Sequence, residues 1–161
     1  MKPFDHSTLN FLRDQAVHAG IAAGTYIQQQ LDSDYIKEKK QGGDSLASQV
    51  VTAVDLKAQQ IILDYLEDSI RRFDLGLLTE ELTDDYSRLK KDYFWCIDPL
   101  DGTLPFTEGR SGYAVSIALV SKEGDPEVAV VYVPDLELCY SAVVGNGVYQ
   151  NQQPFIRPLK D

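Results

Sequence analysis

The sequence predicts an α+β fold: two long helices packed on a mostly antiparallel sheet. Three observations lead there. Apolar residues recur at helical spacing up to Arg72, short apolar runs take over beyond it, and tight turn signals separate the later runs. A chain of 161 residues can bury roughly two-thirds of the surface its unfolded form exposes. One domain over residues 1–161 therefore needs no disulfide or metal to fold.

The first helix spans Ser7 to Leu31. Leu9, Leu12, Ala16, Ala19, Ala23 and Ile27 fall on one face, and Asp5 or Ser7 suits the N-cap. Asp32 to Gln49 is polar, contains Gly42-Gly43, and reads as a loop or weak hairpin. Asp32 and Asp34 alternate as in a calcium loop, but the glycine and closing glutamate of an EF-hand are missing. A second helix runs from about Thr52 to Arg72, with Thr52 and Asp55 resembling a capping box. Strands follow at Leu75–Thr79, Tyr93–Ile97, Tyr113–Ser121, Glu127–Val133 and Leu138–Val143. Their short connections imply antiparallel pairing. Gly145-Asn146-Gly147 lacks the third glycine and the helix of a nucleotide loop, so it reads as a hairpin turn.

The net charge of −10 excludes a binder of nucleic acid polymers, which needs a basic stripe, and opposes docking on anionic lipid. No run approaches the ~20 apolar residues of a membrane helix. The start, Met1 to Asn10, lacks a secretory h-region. Cys96 and Cys139 lie in apolar runs and read as reduced core thiols of a cytoplasmic protein. His6 and His18 belong to the first helix and its lead-in.

The chemistry sits in Trp95-Cys96-Ile97-Asp98-Pro99-Leu100-Asp101-Gly102-Thr103. An apolar strand delivers two aspartates near its end. Gly102 permits close backbone approach to a ligand, and Thr103 opens a helical turn through Phe106 whose N–H groups suit an anion. Glu80 and Glu81 end another short strand. If both strands share a sheet, Glu80, Glu81, Asp98 and Asp101 converge. Clustered carboxylates demand a counter-ion, and hard oxygen donors select Mg²⁺, Mn²⁺ or Ca²⁺. Such a metal also reconciles an acidic protein with an anionic substrate. Asp-Pro and Asp-Gly are equally common turn dipeptides, so turn capping is the competing reading of Asp98 and Asp101.

Trp95, Ile97, Asp98, Pro99, Leu100, Asp101, Gly102, Thr103 and Phe106 resemble, in register, the signature of the inositol-monophosphatase-like sugar phosphatases. Glu80-Glu81 resembles that family's upstream glutamate pair, and Val51, Thr52 and Asp55 resemble its Val-Thr-x-x-Asp segment. The resemblance implies the N-terminal half of a layered αβαβα fold. It implies that Glu80, Asp98 and the Leu100 carbonyl hold a first Mg²⁺, and Asp98 and Asp101 a second. Glu80, Leu100 and Asp101 thereby also border the substrate, whose phosphate the Gly102 and Thr103 N–H groups receive. Asp55 and Thr103 together polarise an attacking water. The implied reaction is hydrolysis of a small phosphate monoester such as an inositol monophosphate, with inhibition by lithium. A 3′(2′),5′-bisphosphate nucleotidase is the alternative.

The family's second signature, Trp-Asp followed by small residues, has no counterpart, since Trp95 is the only tryptophan. Its aspartate ligates the second metal. The expectation is that the family's C-terminal α/β half is absent. The chain is then a catalytically incomplete metal- or partner-binding piece, a homodimer, or one part completed by a C-terminal chain. Thr79 and Leu104-Pro105 depart from the family's commoner residues without removing a ligand. An aspartyl-phosphate phosphatase motif fails on register, because Pro99 falls at the nucleophile position.

Overall fold

The computed structural model describes residues 3–31 and 44–156, with backbone alone for 44–52. Helix α1 spans His6–Leu31 and helix α2 Asp44–Phe73. Strand β1 is Gly76–Thr79, β2 Tyr93–Asp101, β3 Ala114–Ser121 and β4 Pro126–Val133. Strand β5 is Leu138–Val143, β6 Gly147–Gln150 and β7 Gln153–Pro154. A short helix α3, Thr103–Thr107, links β2 to β3. The strands form one sheet in chain order, β1 to β7. All neighbours pair antiparallel except β1 and β2, which run parallel. The α+β class with a mostly antiparallel sheet is therefore the fold.

Asp5 caps α1: its Oδ1 accepts the Thr8 N–H at 2.8 Å, so Ser7 lies inside the helix and is not the cap. The second helix departs further from expectation. It begins at Asp44, which places Thr52 in a helix interior and removes the capping-box reading. The physical reason is visible in Leu46, Ala47, Val50 and Val51, which repeat at four-residue spacing and extend the helical stripe into a stretch that polarity and two glycines suggest is a loop. Of the expected loop, residues 32–43, with Asp32 and Asp34, lie outside the described residues.

Both long helices pack on the same face of the sheet, α1 against β3 to β5 and α2 against β2. The strands alternate accordingly. Trp95 and Ile97 of β2, Ile117 and Leu119 of β3, and Val130 of β4 are buried under the helices, while their neighbours turn to the uncovered face. Trp95 anchors β2 to α2, donating from Nε1 to Ser69 Oγ at 3.3 Å. Cys139 is buried on the helix side, whereas Cys96 is only half buried on the opposite face; the expectation of two core thiols holds for Cys139 alone. Turns at positive-φ Gly145 and Gly147 join β5 to β6, as the Gly-Asn-Gly sequence implies.

Two α1 glycines face the sheet with different tolerances. A Cβ on Gly24 would lie 2.4 Å from the Tyr132 ring, whereas one on Gly20 would meet Val130 at an ordinary 3.6 Å. Gly24→Ala must push α1 off the sheet and should cost ~1–3 kcal/mol. Gly20→Ala should add up to ~1 kcal/mol through helix propensity. Urea unfolding of the two variants, read side by side, checks this opposite sign.

Candidate active site

The parallel pairing of β1 with β2 brings both strand ends to one edge. Thr79 stands opposite Ile97, and the Glu80 N–H donates to the Ile97 carbonyl at 3.2 Å. Glu80 is thereby set beside Asp98. Asp98 pairs with Ser116 and Asp101 with Ala114. Three steps along β2 thus match two along β3, which is a β-bulge with one extra residue. Strict alternation would send Asp98 and Asp101 to opposite faces. The extra residue lets both Pro99 and Leu100 turn inward and returns Asp101 to the solvent side.

The turn that follows is tightly built. Asp98 Oδ1 accepts the Leu100 N–H at 3.1 Å, so this aspartate does cap its own turn as well as facing the other carboxylates. Thr103 Oγ1 donates to the Leu100 carbonyl at 3.2 Å, not to Asp55. Gly102 has φ +88, and a Cβ there would lie 2.3 Å from the Gly112 carbonyl oxygen. Glycine is demanded at this position by the protein's own backbone, a requirement separate from any ligand. The Phe106 ring meets Tyr113 edge-on at 5.5 Å and fixes α3 against the start of β3.

Asp55 reaches the cluster from α2 and is only 7% exposed. Burial first, then the charges of Glu81, Glu80 and Asp98, push its carboxyl up to about 7. Burial also raises Asp98, to about 6, reinforced by the charge of Glu80 and a hydrogen bond with it. Asp101 and Thr103 are exposed at the rim. Asp55 thus feels the charges of Glu80, Glu81 and Asp98, and Asp98 those of Glu80 and Asp101. The one pairing not made is Asp55 with Thr103. Among the described residues, no three acidic, histidine or cysteine side chains are placed so that together they could hold a metal ion. The donors nonetheless fit a hard cation: they are all oxygen, and they repel one another. What the residue pattern did not disclose is the part of Glu81 in raising Asp55, and the hold of Gly112 on Gly102. The glutamate pair signals the first; nothing local signals the second.

The sequence profile of the Inositol monophosphatase family matches residues 9–160. The chain belongs to this family. The Escherichia coli protein named Nus factor SuhB is 35% identical over 91% of this chain and 51% of its own length. A Shigella flexneri protein named 3′(2′),5′-bisphosphate nucleotidase CysQ is 36% identical over 59% of this chain and 38% of its own. Among solved structures, CysQ from Bacteroides thetaiotaomicron superposes with a TM-score of 0.71 and 29% identity, covering 91% of this chain and 52% of that one. The family member described here thus spans about half the length of the relatives it matches.

The raised carboxyls set a direction for stability. A group whose folded pKa lies above its ordinary value stabilises the fold fully below that ordinary value and loses the contribution as pH rises through the folded one. For Asp55 the window runs from 3.8 to about 7. The metal-free chain should lose on the order of a few kcal/mol across it, and Asp55→Asn should flatten the slope in thermal melts taken at stepped pH. Separately, Gly102→Ala should destabilise by about 2 kcal/mol or more, read as a lowered urea midpoint.

Proposed function

We propose that this chain carries the metal- and phosphate-binding part of a Mg²⁺-dependent phosphatase that hydrolyses a small phosphate monoester of the inositol monophosphate kind. The observation that carries the reading is the hydrogen bond of Glu80 with Asp98 beside buried Asp55, where the charges acting on Asp55 and Asp98 are all negative. Such a cluster is costly without a cation, and the bulge leaves Asp101 and Thr103 open to solvent next to it.

Glu80, Asp98 and the Leu100 carbonyl would hold one Mg²⁺, and Asp98 with Asp101 a second. Bound there, the metal would supply Lewis-acid polarisation and charge neutralisation at the phosphoryl group. The Gly102 and Thr103 N–H groups receive the phosphate oxygens. Asp55 accepts the proton of the attacking water, and Thr103 Oγ1, released from the Leu100 carbonyl by rotation about its Cα–Cβ bond, orients that water. A bisphosphate nucleotide is the second substrate reading, supported by the similarity to the protein named as a nucleotidase. Two unpaired cysteines support a reducing, cytoplasmic location, and a small phosphorylated metabolite is the partner.

The test is phosphate release from inositol 1-phosphate and from 3′-phosphoadenosine 5′-phosphate, with Mg²⁺ or EDTA. Release should need Mg²⁺, and Asp98→Asn and Asp101→Asn should each lower it by roughly 100-fold. Equal release by wild type and Asp101→Asn would remove the reading. Independently of turnover, Mg²⁺ at ~100 times its Kd should stabilise the fold by ~2.7 kcal/mol, seen as a raised Tm that Asp98→Asn abolishes. A raised Tm without release would mark the chain as the binding half of a catalyst that needs a further polypeptide.

A further inference from the structure

Most buried polar atoms in a folded chain have a hydrogen-bond partner. Among the described residues, buried side-chain oxygens without one belong to Gln15, Gln59, Tyr113 and Asp135. Those of Gln15 and Gln59 are single amide oxygens on the two long helices. Asp135 differs in kind, because it is an acid and both of its carboxyl oxygens are buried and unpartnered. Among the described residues, no lysine, arginine or histidine pairs with it. A buried carboxylate without a counter-charge is costly.

Asp135 sits in a single 3₁₀ turn, Pro134–Leu136, between β4 and β5. The turn packs on α1, and a Cβ on Gly24 of that helix would meet Pro134 at 2.9 Å. Tyr113, just before β3, reaches the same corner, since the charge of Asp135 acts on its phenol. Tyr113 is only 2% exposed, and its hydroxyl is also without a partner. Burial first, then the charges of Asp135 and Tyr132, push the phenol up to about 12. It therefore stays protonated and offers a neutral oxygen. Neighbouring Tyr132 feels the charge of Glu137, so the corner as a whole favours a positive guest.

The donors narrow the choice of guest. Hard oxygens select a hard cation. The corner holds one carboxylate, so one positive charge balances it and two would overshoot. Mg²⁺ also gives up its waters reluctantly, which suits an open edge better than an enclosed corner. We propose that Asp135 and Tyr113 form an enclosed site for one monovalent alkali cation, Na⁺ or K⁺, between the Pro134–Leu136 turn and the start of β3. Phe106 of α3 meets the Tyr113 ring edge-on at 5.5 Å, so the ion also steadies the helix that follows Gly102 and Thr103. The carboxylates of the acidic edge are not among the charges that raise Tyr113, and the inference is read without activity.

The chain and its variants are melted in EDTA at constant ionic strength, with NaCl, KCl or tetramethylammonium chloride. The expected result is a Tm about 3 °C or more higher in Na⁺ or K⁺ than in tetramethylammonium, saturating with concentration. The ion with the lower midpoint is the better fit. Asp135→Asn, nearly isosteric, should remove the difference. Tyr113→Phe keeps the ring and should raise the midpoint several-fold. Asp98→Asn disarms the acidic edge and should leave the difference intact. Equal Tm in all three salts overturns the proposal, and would mean that Tyr113 and Asp135 bond directly or through water. So does a difference that survives Asp135→Asn, or one that only Asp98→Asn removes, since the ion then sits elsewhere. Should Asp135→Asn fail to fold, ²³Na line broadening by the wild-type chain decides the same point. It should be displaced by K⁺ and weakened several-fold in Tyr113→Phe, and no broadening, or broadening that Tyr113→Phe leaves unchanged, overturns the proposal. Absence of Mg²⁺-dependent phosphate release with the salt result intact counts against the catalytic reading alone.

Discussion

A strand that alternates faces cannot send two residues three apart to the same side. Everything at the acidic edge depends on how β2 escapes that constraint. One extra residue at Pro99–Leu100 resets the parity, and proline suits the position because a bulge asks for fewer ladder hydrogen bonds. Leu100 then fills the core while its carbonyl and N–H serve the turn. The bulge thus joins two demands that regular pairing would separate: apolar anchorage below, and carboxylates above.

The cost of the arrangement is electrostatic. Burial, and after it the neighbouring negative charges, push Asp55 and Asp98 up. The fold carries this because the surroundings are over-determined. Trp95 is tied to Ser69 of α2, the Gly112 carbonyl closes the space beside Gly102, and Phe106 packs on Tyr113. A rigid frame that holds like charges together is what a site for a multivalent cation requires.

Much of this is readable in the residues themselves. The period of α1, the alternation of β3 to β5 and the Gly145–Gly147 turn follow from local spacing, so they are found where the sequence puts them. The site motif is legible for the same reason, being one contiguous run plus a glutamate pair. The start of α2 is not, because glycines and serines near residues 42–49 outweigh a faint apolar repeat when read by polarity alone. The bulge is hidden too, since it is defined by the count of residues on β3. The Gly102–Gly112 contact links positions that only the folded chain brings together, and the same holds for the placement of Cys96 away from the helices.

The connections of the sheet divide it into two regimes. From β3 onward every link is a short turn, as at 122–125, 134–137, 144–146 and 151–152. The links on the other side, 80–92 and 102–113, are longer and carry helical turns. Closing a loop costs more entropy as it lengthens, and contacts near in sequence assemble fastest. The acidic side chains of the site come from α2, from β2 and from the start of the 80–92 link, on the long-link side of the sheet. The meander is therefore the scaffold that can form by local steps. The acidic edge instead draws together segments farther apart in sequence than neighbouring strands of the meander, with Asp55 and Asp98 brought to one place from α2 and β2.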